Sequence, residues 1–442
     1  MQGVNLKIAL LHHTGGGNLG DEASVDTVLS NLRRRWPDST ISLLSMNPSE
    51  TARVHGIPSY ALRTYIWELG SGADSKTTKP TSKFRLIRWL QSTRSPVMRI
   101  PRRIWQELAF LVKSFQIVRR FDFLIVSGGG QLTGKSGPWG FPYAILLWFL
   151  MAKLAGTRCI FLNVGAGPLT DRLSKFFVIC TLRAASYVSF RDEPSQKLTR
   201  SIGFRGPSDV FPDNVYGFDL ASPAILGSRR TSGRTVGIAP LAYPARPACS
   251  TAEQKTKYDE VITSFAKFTS SISQESYSLS FFGTDIEEDA ATIEDVRKVL
   301  RDRYKLATPL YKPIRSVAEL LSRLAMMDYI VTCRFHAVVF AHLLNKPVIA
   351  ISPHPKVSDH MNALGMSKYC TDIQSFDANA LMMIFHAAVR EQAEIKDRMA
   401  VKLAEYRFLL KTQWDNLFPR DCEHSLDRQF CNSQSFTGET ES

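Results

Sequence analysis

Short apolar strands alternate with helical patterns along most of this chain, and that alternation restricts the fold more than any other feature. The strands predicted in the first half are residues 5–11, 40–45, 121–126, 159–164 and 187–190. The intervening segments carry apolar residues at helical spacing, as between Val25 and Trp36. Because strands that are separated by helices usually pair in parallel, the sequence predicts a largely parallel sheet covered by helices.

The alternation restarts after the polar segment 226–234 (LGSRRTSGR), which is typical of a linker. The strands predicted in the second half are 235–239, 277–282, 329–332 and 348–352, followed by a helical pattern over 389–414. We therefore predict an α/β chain with two Rossmann-like domains, residues 1–225 and 235–419. Residues 420–442 are polar, and we expect them to be disordered.

Composition narrows the class of partner. The 442 residues carry a net charge of +14, which favours anionic partners such as phosphorylated substrates or lipid headgroups. No nucleic-acid-binding module is recognisable, so we expect no nucleic acid partner. Seven cysteines without a CxxC pair argue against a zinc site or disulfide framework and favour the reducing cytoplasm. The longest apolar run, 143–152, is shorter than the ~20 residues that span a bilayer, so we predict a buried helix there.

One basic segment, residues 83–120, interrupts the alternation. It interleaves ten lysines and arginines with apolar residues that include Trp89 and Trp105. A basic amphipathic helix with tryptophan is typical of a membrane-surface element. The alternative is an insertion whose apolar face packs on the first domain.

The first glycine loop, residues 15–22 (GGGNLGDE), contains a GxGxxG pattern between a strand and a helix. Two features argue against a dinucleotide site. The second strand ends in Met46 and Asn47 without the acidic residue that binds a ribose, and Asp21 and Glu22 would repel a pyrophosphate. Asp21 is therefore either a favourable charge at a helix start or a general base.

Arg334 and His336 lie where a predicted strand ends and a helix begins. Ligands bind at the carboxyl ends of strands in open α/β sheets. An arginine there offers a planar fork to a carboxylate or phosphate, and a histidine can carry a proton near neutral pH. The pair indicates chemistry on a small anion; the alternative is a solvated arginine beside a packed histidine. Cys333 could pair with His336 as a nucleophile, although a small buried residue is the simpler interpretation.

Five motifs in this order, NLGDEA, DFLIVSGGGQL, NVGAGPL, SFRDEPSQKL and VTCRFHAVVFAHLLNKPVIAIS, resemble the polysaccharide pyruvyl transferase family from about residue 8 to 366. The resemblance implies a GT-B-like fold with a cleft between its domains. It implies transfer of the pyruvyl group of phosphoenolpyruvate onto two hydroxyls of a sugar as a cyclic ketal, in the biosynthesis of exopolysaccharide or another cell-envelope polysaccharide. No metal or other cofactor is implied.

The same resemblance implies roles for individual residues. His336 would transfer the catalytic proton with Asp21 as the acidic partner, and Arg191, Arg334 and Lys356 would bind phosphoenolpyruvate. Glycines that follow strands let the backbone approach a ligand closely, and the candidates are Gly20, Gly128, Gly129, Gly130, Gly165 and Gly167.

The sequence also departs from the family's pattern. Phe335 stands where leucine is commoner, and the loop Thr14–Gly17 lacks an aromatic residue, which leaves the acceptor contacts open. We expect a cytoplasmic enzyme whose acceptor is a sugar or a lipid-linked oligosaccharide at the inner face of the membrane. The alternatives are a GT-B glycosyltransferase that uses a nucleotide sugar and a non-enzymatic scaffold at the membrane.

Overall fold

The computed structural model describes residues 5–63, 96–220, 234–244, 251–286, 288–308, 311–375 and 377–418, with backbone alone for 96–104. Its residues divide into two compact units. The second unit comprises Pro212–Pro419 together with Gly16–Val28, and the first unit holds the other described residues before Pro212. Each unit is built around its own parallel sheet.

Seven parallel strands form the sheet of the first unit, in the order β3-β2-β1-β4-β5-β6-β7. They are β1 (Lys7–Leu11), β2 (Thr40–Ser45), β3 (Ser59–Ala61), β4 (Phe123–Ser127), β5 (Arg158–Val164), β6 (Tyr187–Phe190) and β7 (Asp209–Val210). The chain order reverses between β1 and β4, which is the position where doubly wound sheets bind ligands at their carboxyl edge.

Among the described residues, six helices alternate with these strands along the chain: α1 (Leu19–Arg35), α2 (Pro48–His55), α3 (Pro96–Val118), α4 (Phe141–Leu154), α5 (Arg172–Ala184) and α6 (Glu193–Ser201). The N-cap residues of α2, α5 and α6 are Asn47, Asp171 and Asp192, whose side chains accept hydrogen bonds from first-turn backbone N–H groups. Most residues of α4 are buried, which confirms the buried helix predicted over 143–152.

Five parallel strands form the second sheet, in the order β12-β11-β10-β8-β9. They are β8 (Thr235–Ala239), β9 (Ser278–Phe281), β10 (Tyr329–Thr332), β11 (Val348–Ser352) and β12 (Cys370–Asp372). The helices are α7 (Ala252–Gln274), α8 (Glu288–Tyr304), α9 (Val317–Ala325), α10 (Phe335–Leu343), α11 (Pro355–Ala363), α12 (Ala378–Arg390) and α13 (Gln392–Leu417). Chain order reverses here between β8 and β10.

Every strand predicted from the sequence is present to within about two residues, and the sequence missed three. The missed strands β3, β7 and β12 lie at sheet edges and have three residues or fewer, too short to show a pattern. The helical pattern predicted over 389–414 is confirmed except at one residue. The structure has two helices with a break at Glu391, whose backbone angles (φ −103°, ψ 17°) depart from the helical region.

Several expectations fall outside the described residues. Trp89, the predicted linker apart from Arg234, and the predicted disordered tail 420–442 are among them. Within the described ranges, no helix is long and apolar enough to cross a membrane.

Candidate active site

Arg334 lies two residues after the end of β10, at the carboxyl edge where the second sheet reverses its order. It is the N-cap residue of α10, and its backbone N–H donates to the hydroxyl of Thr332 at 3.0 Å. The strand-to-helix turn thus places Arg334 and His336 at the edge where the sequence predicts ligand binding.

The guanidinium of Arg334 is held by two carboxylates. Its Nε donates to Asp289 Oδ1 at 2.9 Å and its Nη2 donates to Asp289 and, at 2.7 Å, to Glu288 Oε2. Asp289 is fully buried, and its Oδ2 accepts from the backbone N–H groups of Thr284 (2.8 Å) and Asp285 (3.0 Å). Nη1 takes no part in these contacts, so the fork predicted to bind an anion is partly occupied by protein carboxylates.

This pairing fixes the charge of Arg334. Burial lowers the pKa of the guanidinium, but the attraction of Asp289 and its hydrogen bonds, with those of Glu288, outweigh burial and hold the pKa above its ordinary value. Sequence reasoning missed Asp289, because Glu288 and Asp289 resemble ordinary acidic residues at a helix start. Only the packing of α8 against the β10–α10 turn shows that these carboxylates bind Arg334 and are not merely favourable charges at a helix start.

His336 packs against Gly20 in the first turn of α1. A Cβ atom placed on Gly20 would lie 2.0 Å from the Cγ and Nδ1 atoms of the imidazole, so only glycine leaves room for the ring. His336 itself is 8% exposed. Gly20 and His336, each predicted separately as a site residue, are therefore in contact, and Asp21, half-buried, is the next residue along the helix.

The loop before α1 is tied to the loop after β9. Leu19 N donates to Thr284 O at 2.8 Å, Ile286 N donates to Gly17 O at 3.1 Å, and Asn18 pairs with Asp285 in an antiparallel bridge. Because Asp289 caps the same β9–α8 loop, one short stretch of chain positions both Arg334 and the glycine that accommodates His336.

Lys356 lies in the first turn of α11, just after β11, and is exposed. Its Nζ lies 5.1 Å from the ring centroid of Phe335, within cation–π distance, and that ring is 5.4 Å from the ring of His336. A leucine at position 335 could not make this contact. The aromatic residue therefore places the lysine's charge beside the Arg334–His336 turn.

Sequence reasoning missed a hydrogen-bonded chain of three groups next to Phe335: the buried His342 and Tyr216 and the half-buried His360. His342 Nε2 lies 2.7 Å from Met399 O, a pure acceptor, so Nε2 carries the proton. Its Nδ1 then accepts from the Tyr216 hydroxyl (3.0 Å), whose oxygen accepts from His360 Nε2 (2.7 Å). His360 lies 5.1 Å from the Phe335 ring, so this chain supports Phe335 from behind.

Arg191 and the glycine loops lie in the first unit. Arg191 follows β6, its side chain is 5% exposed, and its Nε lies 3.3 Å from Asp192 Oδ2. A Cβ on Gly165, which follows β5, would lie 2.7 Å from that Nε, so the glycine makes room for the guanidinium. The structure thus brings Arg191 and Gly165 together, as their positions after neighbouring strands lead one to expect.

The two predicted glycine loops are joined by backbone hydrogen bonds. Gly165 N donates to Gly129 O at 2.7 Å, and Gly167 N donates to Leu132 O at 2.8 Å. Gly128, Gly129 and Gly167 have φ of 51°, 61° and 102°, in the region that favours glycine. Gly130, the next residue after Gly129, does not have a positive φ, and the space at its Cβ position is open.

The nucleophile interpretation of Cys333 is not supported. The thiol is buried, and burial raises its pKa far above the ordinary value, so it stays protonated and unreactive at neutral pH. Within the described ranges, no three His, Cys, Asp or Glu side chains are arranged to hold a metal ion.

Comparison with solved structures places the fold among GT-B enzymes. UDP-GlcNAc 2-epimerase from Methanocaldococcus jannaschii matches with a TM-score of 0.54 at 10% identity, over 87% of this chain and 92% of that one. The 2-epimerase from Neisseria meningitidis bound to UDP-GlcNAc matches with a TM-score of 0.53 at 11% identity, over 93% of this chain and 100% of that one. At such identities the likeness shows the fold alone, and it confirms the predicted class with two parallel sheets.

The family follows from the sequence. A family model described as polysaccharide pyruvyl transferase matches residues 18–355, and the chain belongs to that family. The match includes Asp21, Arg191, Arg334 and His336, and it ends one residue before Lys356. A search of curated proteins finds no match.

Proposed function

We propose that this transferase moves the pyruvyl group of phosphoenolpyruvate onto two hydroxyls of one sugar and forms a cyclic pyruvate ketal. The observation that carries the proposal is the Arg334–His336 turn at the point of strand reversal, with Gly20 seated against the imidazole. A fixed cation and a histidine two residues apart suit a substrate that is an anion and must accept a proton.

The donor would be held by cations. Phosphoenolpyruvate carries a carboxylate and a phosphate, and the three candidates to bind them are Arg191, Arg334 and Lys356. Arg334 would offer Nη1 while Asp289 keeps its orientation. The Glu288 carboxylate is 51% exposed, so its contact with Nη2 costs little to exchange for a substrate oxygen.

The chemistry needs one proton donor and one acceptor. His336 would protonate the methylene carbon of phosphoenolpyruvate, which leaves an oxocarbenium-like centre at C2. One sugar hydroxyl adds to C2 and loses its proton to Asp21; the C2–O bond to phosphate breaks, and the second hydroxyl closes the ketal. Two C–O bonds form and one breaks, and the two hydroxyl protons balance the new methyl hydrogen and the released hydrogen phosphate.

The proposed setting is the cytoplasmic face of a membrane, with a sugar on a lipid-linked oligosaccharide as acceptor. The exposed apolar residues of α3 and the net charge of +14 support it. The test that separates donors is a thermal-shift titration with phosphoenolpyruvate and with uridine diphosphate. Stabilisation by phosphoenolpyruvate alone, and sugar-dependent release of phosphate, is the expected result; stabilisation by uridine diphosphate alone would favour a nucleotide-sugar enzyme.

Two variants separate donor binding from proton transfer. His336→Ala removes the proton donor and leaves the cations, so we expect kcat to fall by about 10²–10⁴-fold with thermal stabilisation by phosphoenolpyruvate retained. Arg334→Lys replaces a fork by a point charge, so we expect donor affinity to fall by roughly tenfold or more. Steady-state kinetics on both decide the roles, and full activity in His336→Ala would exclude that histidine as the acid.

A further inference from the structure

Three adjacent strands of the first sheet end in polar side chains at the same level. Leu11 of β1 pairs with Leu44 of β2 and Val126 of β4. The next residues are His12, Ser45 and Ser127, and His12 N donates to Leu44 O at 3.2 Å, so the pairing continues. Leu11, Leu44 and Val126 all pack in one core cluster. His12, Ser45 and Ser127, here called the polar row, therefore share the opposite face of the sheet.

The polar row is buried and its hydrogen-bonding atoms are unused. All three side chains are 0% exposed. Among the described residues, neither ring nitrogen of His12 and neither serine hydroxyl has a hydrogen-bond partner, and the same holds for both amide atoms of the buried Gln131. A buried polar atom without a partner loses its hydration and gains nothing in return, so such atoms are rare in folded proteins. Three such residues side by side on one face of the sheet, with Gln131 four residues after Ser127 along the chain, indicate a ligand that supplies the missing bonds.

The polar row is also uncharged. Burial, reinforced by the charges of His13 and His55, holds the pKa of His12 well below its ordinary value, and burial lowers the pKa of His13 to about 3. An anion in such surroundings would lack the cationic partner that a buried charge requires. Hydroxyl groups both donate and accept hydrogen bonds, which matches imidazole, serine and carboxamide groups. The chemistry therefore favours a neutral, hydroxyl-rich ligand.

The place in the fold fits a ligand site. β1 and β4, which carry His12 and Ser127, flank the point where the strand order reverses. Three strands span roughly 10 Å, enough for one sugar ring. Gly130, in the loop that joins Ser127 to Gln131, has open space at its Cβ position.

We propose that the polar row and Gln131 form the subsite for the acceptor sugar and hold its hydroxyls by uncharged hydrogen bonds. This inference rests on the proposed pyruvyl transfer for the name of the ligand. It assigns the two substrates to groups of different chemistry. Arginines and a lysine would bind the charged donor, and uncharged side chains would bind the neutral acceptor: His12, Ser45, Ser127 and Gln131.

The test uses Ser45→Ala and Ser127→Ala, singly and together. Since neither hydroxyl has a partner among the described residues, its removal leaves Tm unchanged or raised. Ser189→Ala is the matched control, because that buried hydroxyl accepts from Asn163 N (2.9 Å) and donates to Asn163 Oδ1 (2.8 Å), so its Tm falls. A fall in Tm for the row variants equal to that of Ser189→Ala would overturn the proposal and indicate a structural role, such as ordering buried water.

Sugar binding is measured by saturation-transfer NMR on the full-length protein without phosphoenolpyruvate. The probes are the methyl glycosides of galactose, mannose, glucose and N-acetylglucosamine. We expect at least one to bind the wild type, and each serine variant to bind it roughly fivefold to tenfold more weakly. Absence of binding by all four, or equal binding by the double variant, would contradict the subsite. Sugar binding that is lost in the variants, without any phosphoenolpyruvate-dependent reaction, would keep the subsite and reject the proposed transfer.

Discussion

The absence of a side chain at Gly20 determines where His336 can lie. A methyl group there would overlap the imidazole at 2.0 Å, and the ring, 8% exposed, has little room to retreat. Gly20 is also a helical residue, where glycine costs about 1 kcal/mol relative to alanine. A glycine kept at this cost indicates that the close approach of α1 to His336 is needed.

Gly20→Ala should therefore displace His336. Overpacking costs about 1–3 kcal/mol, which the better helix propensity of alanine offsets only in part. We expect a lower free energy of unfolding and a large loss of kcat, measured by chemical denaturation and by phosphate release.

The double variant Gly20→Ala, His336→Ala is the control for that prediction. It removes the ring that the methyl group would strike, so it should recover the stability lost in Gly20→Ala while remaining inactive. Additive losses in the double variant would mean that the two residues do not contact each other.

The same residues show what a sequence can reveal about a site. Arg334, His336 and Gly20 were identifiable because each follows a strand or lies in a glycine loop, where local pattern is informative. Asp289 was not, because its role depends on a contact across 45 residues with Arg334. Nor was Tyr216, whose link to the site passes through His360, 144 residues away. Local sequence patterns can therefore identify residues that bind a ligand. The residues that orient them cannot be identified in this way, because their contacts depend on tertiary packing.

At the scale of elements, α3 packs one face on the first unit and exposes apolar residues on another. Phe110, Ser114 and Val118 are buried, and Phe110 meets Trp148 of α4 at a centroid distance of 6.5 Å, so one face packs on the first unit. Trp105, Leu108 and Val112, at helical spacing on another face, are 72%, 51% and 60% exposed. The sequence predicted an amphipathic helix; the structure shows a second apolar stripe beside the packed face.

This exposed stripe should bind anionic vesicles. Trp105 and Leu108 would enter the headgroup region, and exposed basic residues such as Lys113 and Arg120 would add about 1 kcal/mol each near a charged surface. We expect sedimentation with phosphatidylserine-containing liposomes that weakens with salt and is lost in Trp105→Ser, Leu108→Ser.

The matched control is Val401→Ser, Phe408→Ser on α13. Those side chains are 71% and 68% exposed but lie in the other unit, so the variant should still sediment with the vesicles. A wild-type protein that stays in the supernatant at low salt would leave α3 as a packed insertion alone.

At the scale of the whole molecule, the net charge of +14 should affect the binding of the anionic donor but not that of the neutral acceptor. The electric field of a positively charged protein raises the local concentration of an anion and its rate of encounter by roughly tenfold or more at low salt. A neutral sugar is not attracted by this field. The field is screened over about 8 Å at physiological ionic strength. Donor capture should therefore depend on salt, and acceptor binding should not.

We expect kcat/KM for phosphoenolpyruvate to fall by roughly tenfold as sodium chloride rises from low to well above physiological concentration. Since contacts made after docking are shorter than the screening length, kcat should change little. The KM of a soluble neutral acceptor is the internal control, because the polar row carries no charge, and it should stay constant in the same titration. Equal salt dependence of both Michaelis constants would mean that both substrates bind at charged groups. That result would remove the division between the arginine-bound donor and the hydroxyl-bound acceptor.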